Sequence, residues 1–252
     1  MKLKERRILM IRRASAAVWL SAATLSIIGG GSVVATSRDA AAQALRIGAY
    51  RPRFIVVFLD ETGSRGEAWN AMREKAALIA SRLKNRDAFT LIGIDAHGGD
   101  EDDVRVPLTI IETPNDPSGL NKAALDQQRQ EIVQQVTKLK RRGNPQTTDI
   151  VGPIKQALLM ANMQNGERDT LLAFFSDMQQ DPTMPDAAAF KGIRFPAGTK
   201  AYCFYVAGTK RYDYPTTVEL WQRLLTSAGV KTSANDFHQQ GTVAVGVNAA
   251  FP

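Results

Sequence analysis

Phe54-Ile55-Val56-Val57-Phe58-Leu59-Asp60-Glu61-Thr62-Gly63-Ser64 is the stretch that decides the fold of this chain. Six apolar residues in succession, rich in β-branched and aromatic types, match a strand buried on both faces, as strands of parallel sheets are. The run stops at a carboxylate and passes into turn-forming polar residues. The same pattern returns at Leu171-Leu172-Ala173-Phe174-Phe175, followed by Ser176 and Asp177. Ligands of open α/β sheets bind in the crevice beyond the carboxyl ends of the strands. Two aspartates at such ends therefore point to a cation site.

Working outward, strand-like and helix-like stretches alternate, which predicts an α/β domain with a doubly wound, mostly parallel central sheet flanked by helices. Trp69, Met72, Ala76, Ile79 and Leu83 recur at three and four residues, predicting a helix over 66–83 with one apolar face. A second strand is expected over 89–94 and a third over 104–111, where Pro107 restricts it to a sheet edge. A Gln-rich helix is expected over 118–140, ending in Lys138, Lys140, Arg141 and Arg142, and these cations read as a solvated helix end. Helices are expected from Thr147 to about 165 and around Val218, Trp221, Leu225 and Ala228. Strands are expected over 200–206 and 242–247. The acidic run from Asp95 to Asp103 reads as a solvated loop with a turn at Gly98-Gly99. Tyr212 to Pro215 reads as an ordinary aromatic loop. With only His97 and His238 in the chain, a multi-histidine zinc site is excluded.

Asp60-Glu61-Thr62-Gly63-Ser64, Thr148-Asp149 and Asp177 together resemble the metal-ion-dependent adhesion site of the von Willebrand factor type A (VWA) domain. That site combines an Asp-x-Ser-x-Ser loop, a distant Thr and a later Asp, and the resemblance covers roughly residues 52–248. It implies a Rossmann-like domain in which Thr62, Ser64 and Thr148 offer hydroxyl oxygens while Asp60 and Asp177 hold Mg2+ or Mn2+ directly or through water. It also implies one open position for an acidic residue of a partner protein. A small hard cation takes about six oxygens at roughly 2.0–2.1 Å, and neutral hydroxyls leave it electrophilic enough to attract a further carboxylate. The chain departs from the pattern in three places. Thr62 stands for Ser and keeps the hydroxyl. Pro145 to Thr148 replaces a glycine-rich approach, leaving Thr147 and Thr148 as rivals, of which Thr148 is chosen because Asp149 and a helix follow. Met178 stands where Gly commonly follows the last Asp, and would narrow access.

The 252 residues carry a formal charge of +7. Residues 1–44 hold seven of the 32 basic and two of the 25 acidic residues, so the remainder has 25 bases against 23 acids. That near balance argues against a nucleic-acid groove. In the first segment Lys2, Lys4, Arg6, Arg7, Arg12 and Arg13 precede the apolar run from Ala16 to Ile28, and Val33-Val34-Ala35 and Ala42-Gln43-Ala44 offer small-x-small cleavage patterns. Extended to Ala35, the run reaches about 20 residues, enough for a weak anchor. Residues 1–44 are thus expected to be a signal peptide or signal anchor, 45–53 a linker and 54–252 the VWA-like domain. The chain would be exported, to a bacterial periplasm or the outer face of the cytoplasmic membrane, and tied to the membrane if the segment is uncleaved. Cys203, the only cysteine, sits in an apolar strand pattern and reads as a buried small hydrophobe.

Two function classes follow. One is an exported, metal-dependent protein-binding module for adhesion or assembly. The other is a metal-dependent phosphoester hydrolase built on the same carboxylates, which lacks an Asp-x-Asp pair, a phosphate-binding Gly loop and a positioned base in the sequence. A VWA scaffold without a working metal site is the third reading.

Overall fold

Strand β1 (Arg53–Asp60) is buried along nearly its whole length because it lies inside the sheet, with β2 (Ala88–Ile94) on one side and β4 (Asp169–Phe175) on the other, both parallel to it. In this computed structural model the described residues are 50–62, 67–96, 98–113, 120–142, 147–209 and 212–252. The expected export segment 1–44, the start of the linker, Ser64 and His97 lie outside them. Six strands pair in the order β3-β2-β1-β4-β5-β6, where β3 is Val104–Ile110, β5 is Lys200–Phe204 and β6 is Phe237–His238. All neighbours are parallel except β2 and β3. The antiparallel strand is the Pro107 strand, and it sits at the edge as its proline requires.

Alternation along β1 feeds two cores. Ile55, Val57 and Leu59 pack with α1 (Trp69–Ser81), α2 (Leu120–Lys138) and α5 (Val243–Ala250) on one face. Phe54, Val56 and Phe58 pack with α3 (Val151–Met163) and α4 (Tyr214–Ser227) on the other. Phe58 and Phe174, cross-strand partners in register, stack at 4.3 Å between ring centroids. The sheet is thus wound on both faces. From β1 the chain leads through α1 to β2, whereas the neighbour on the other side, β4, is reached only after α3. The winding therefore reverses between β1 and β4, the position where this architecture opens a crevice at the carboxyl edge. Asp60 ends one of these strands and Asp177 follows the other.

The expected strand at 242–247 is instead helix α5, and the last strand is the two-residue β6, which periodicity did not reveal. Val243, Val245 and Val247 suggest a period of two. In the helix Val243 and Val247 face the core one turn apart while Val245 is 72% exposed. Gly246 permits this packing. A Cβ at that position would lie 2.5 Å from the His238 ring, which is itself stacked on Phe204 at 5.4 Å and cannot swing away freely. Gly246→Ala is expected to destabilise the domain by about 1–3 kcal/mol, the range for overpacking, read from the urea midpoint.

Candidate metal centre

Because β1 alternates, Asp60 and Glu61 leave the strand in opposite directions. Both are buried, as are Thr62, Thr148, Ser176 and Asp177. Asp60 accepts three hydrogen bonds, all from uncharged donors. The Thr62 backbone N–H (3.0 Å) and hydroxyl (2.5 Å) donate to Oδ1, and the Ser176 hydroxyl donates to Oδ2 at 2.7 Å. A hydroxyl that gives its proton to a carboxylate keeps its lone pairs available, which is the state a cation ligand needs. Ser176, to which the sequence reading gave no role, bridges the two strand ends. The one available signal was a hydroxyl residue between the apolar run and Asp177.

Burial, and after it the charge of Asp177, pushes the Asp60 carboxyl up to about 6 despite those hydrogen bonds. The fold keeps two acidic groups near one another in a desolvated pocket, a cost that a bound cation would offset. The donor set present, two carboxylates with neutral hydroxyls around them, fits a hard divalent ion. Among the described residues no three His, Cys, Asp or Glu side chains converge, so a site of soft or nitrogen ligands is not formed by them. A carboxyl held above its ordinary value of 3.8 binds its proton more tightly in the folded state. The metal-free protein is therefore expected to lose stability as pH rises from about 4 to about 6, and to stay at the lower level above that. Melting temperatures collected across that window at low salt check the sign.

Thr148 is buried and Thr147 exposed. The Thr148 carbonyl accepts from Asp181 N–H at 3.1 Å, and Gln180 Oε1 accepts from Ile150 N–H, so the approach to α3 is tied to the segment after Asp177. From the other side the Asp95 carbonyl accepts from Asp149 N–H at 2.7 Å. Gly98 and Gly152 allow that approach, since a Cβ on Gly152 would fall 1.8 Å from the Gly98 carbonyl oxygen. The structure thus gathers Asp60, Thr62, Thr148 and Asp177 at one edge. Ser64 lies outside the described residues.

Met178 corrects the expectation of narrowed access. Its side chain is fully buried in the core rather than at the rim, and Trp221 Nε1 donates to its carbonyl at 2.7 Å. The residue adopts φ of 61°, a left-handed backbone that glycine takes without strain, which explains why Gly suits the position.

The basic segment at the end of α2 is a solvated end only at Lys138 and Lys140, which are exposed, whereas Arg141 and Arg142 are half-buried. Arg141 Nε donates to the Glu61 carbonyl at 2.8 Å and its Nη2 donates to the Thr62 carbonyl. Glu61 ion-pairs with Arg105 and accepts from the Arg142 backbone N–H at 2.6 Å, while Arg105 donates to the Lys140 carbonyl. Arg142 also pairs with Asp103, which is buried and caps its own turn by accepting from Gly99 and Asp100 N–H. The acidic run is therefore solvated only in part, at Asp100, Glu101 and Asp102. Asp213 of the aromatic loop serves as N-cap of α4, accepting from Thr216 N–H at 2.8 Å.

No protein-family model and no curated protein sequence matches the chain. Solved structures do. Proximal thread matrix protein 1 from the mussel byssus superposes with a TM-score of 0.54 at 11% identity over 79% of this chain and 47% of that one. The von Willebrand factor type A structure from Catenulispora acidiphila matches with 0.50 at 14% identity over 79% and 41%. The chain has the von Willebrand factor type A fold. The pilus adhesin SpaC from Lactobacillus rhamnosus GG matches this VWA-fold chain with 0.52 at 13% identity over 80% of the chain and 30% of SpaC. The chain spans less than half the length of each of these three structures. One further structure of the byssus protein, TM-score 0.51 and 12% identity, has a zinc-occupied MIDAS motif.

Proposed function

We propose that this VWA domain is a metal-dependent protein-binding module, exported to the periplasm or the outer face of the cytoplasmic membrane, in which Asp60, Thr62, Ser64, Thr148 and Asp177 hold Mg2+ or Mn2+. The observation that carries the reading is Asp60 itself: a fully buried carboxylate beside a second one, served only by uncharged donors, at the point where the sheet reverses its winding. When bound, the ion supplies an electrophilic centre with a position for an outside carboxylate. The protein's own groups do the rest. Ser176 and Thr62 orient Asp60, and Arg141 fixes the backbone that presents Thr62. Metal-occupied and adhesive relatives of the fold support this reading by analogy only.

Hydrolysis needs a nucleophile or base beside the carboxylates. Cys203 is fully buried in β5, where burial pushes its thiol well up, and His238 is packed between Phe204 and α5. Among the described residues no helix is long and apolar enough to cross a membrane, so membrane attachment would rest on the segment 1–44.

The test is capture of envelope proteins by the immobilised full chain with and without chelator, alongside a competing acidic peptide. Capture lost with chelator and reduced by the peptide is expected. Capture indifferent to both would contradict the reading. Arg141→Ala is expected to weaken cation affinity about tenfold, as loss of a partner that orients a metal ligand does, with little change in urea midpoint. Calorimetry on the variant checks this, and Arg141→Lys should recover only part, because one ammonium cannot span both carbonyls.

A further inference from the structure

We infer that the opposite edge of the sheet carries a second site, for a phosphate-bearing anion, centred on Lys200 and Lys231. Lys200 opens β5, and Lys231 is its parallel bridge partner, held there by hydrogen bonds from Ala201 N–H to the Lys231 carbonyl and from Lys231 N–H to the Thr199 carbonyl. Both side chains are exposed, and like charges on opposed residues disfavour one another, a cost that an anion between them would relieve. Both line each of two adjoining cavities, of about 320 and 560 Å3, with Tyr202 as their shared wall. The larger falls in the range of small-ligand sites.

Of the carboxylates nearby, Asp169 is ion-paired with Arg51 at 3.1 Å and Asp87 with Arg53, whereas Asp236, in the wall of the smaller cavity, is hydrogen-bonded by the N–H and hydroxyl of the neutral Ser233 and keeps its charge. Neither Lys200 nor Lys231 forms an ion pair with a described residue. Lys84 adds a further exposed cation to the larger cavity, its Nζ 4.9 Å from the centre of the Tyr50 ring. In the wall of the smaller cavity Tyr202 and Ser233 add hydroxyl groups. Clustered ammonium groups with hydroxyls beside them suit an ion of several acceptor oxygens, and lysine is a common phosphate binder. Strand register sets Lys200 level with Ile55, five residues before Asp60, so the two sites are roughly 17 Å apart along the strands at about 3.3 Å per residue. The two sites are therefore independent.

The full chain is titrated with inorganic phosphate by calorimetry at low salt, and separately with a short-chain phosphatidylglycerol kept below its micelle concentration. Binding in at least one arm is expected, weakened about tenfold or more by the Lys200→Gln, Lys231→Gln double variant and by raised salt. The tighter arm identifies the source, a free phosphate or a lipid headgroup. Asp60→Asn should leave this binding intact, which separates its outcome from that of the metal site. No binding in either arm, or binding unchanged in the double variant whose circular dichroism and melting match the wild type, overturns the assignment. If glutamine disturbs the fold, Lys200→Arg, Lys231→Arg must restore it and retain binding.

Discussion

Asp60→Asn is expected to stabilise the metal-free protein while removing its response to divalent cations. Asparagine keeps an oxygen to accept from the Thr62 N–H and hydroxyl, and turns an amide toward Ser176 Oγ, which can accept where it formerly donated. The change deletes a buried charge whose carboxyl is pushed up to about 6 from 3.8. That difference corresponds to at most about 3 kcal/mol at pH 8, an upper figure for the gain. The gain should vanish below pH 4, where Asp60 is protonated in both states. A ligand that destabilises its own empty site is characteristic of a group selected for what it binds. A merely structural Asp60 would behave oppositely, and its replacement would lower the melting temperature at every pH.

Glu61→Ala is expected to cost about 3–5 kcal/mol, because it leaves Arg105, only 12% exposed, without its carboxylate, and removes the acceptor of Arg142 N–H. The loop would lose its anchor on the α2 side while Arg141 still grips its carbonyls. Cation affinity should therefore fall together with stability. Adding Arg105→Leu should recover a substantial part of the stability and little of the affinity, since the leucine removes the stranded charge without restoring the loop. Urea midpoints of the four members of the cycle give the coupling between the two residues, and additive losses would mean that the pair does not act as a unit.

The strand ends were legible because the chemistry changes abruptly there. Phe54–Leu59 and Leu171–Phe175 are apolar on both faces, so the carboxylates at their ends stand out, and the sheet places both beside the reversal of winding. The apolar stripe Trp69, Met72, Ala76 and Ile79 likewise became the buried face of α1. Local patterns failed where tertiary contacts decide. Nothing near Glu61 in sequence says that Arg105 and the residues after α2 will enclose it, so Arg141 and Arg142 looked as solvated as Lys138 and Lys140, which are exposed. Valines at alternate positions imitate a strand until packing selects a helix that buries two and exposes one. Met178 looked like an obstacle from its size, whereas its backbone conformation sends the side chain into the core. Ser64, Thr62 and Thr148 entered as ligands through resemblance. The structure adds Ser176, placed between the carboxylates by strand register.

The most direct measurement is calorimetric titration of the full chain with Mn2+ and Mg2+ at pH 8, beside the Asp60→Asn, Asp177→Asn double variant. Saturable heat at a stoichiometry of about one, absent from a folded double variant, is the expected result for one ion held by the residues of a single site. Identical traces from wild type and variant, whether both silent or both saturable, would contradict the assignment of a cation to this edge of the sheet.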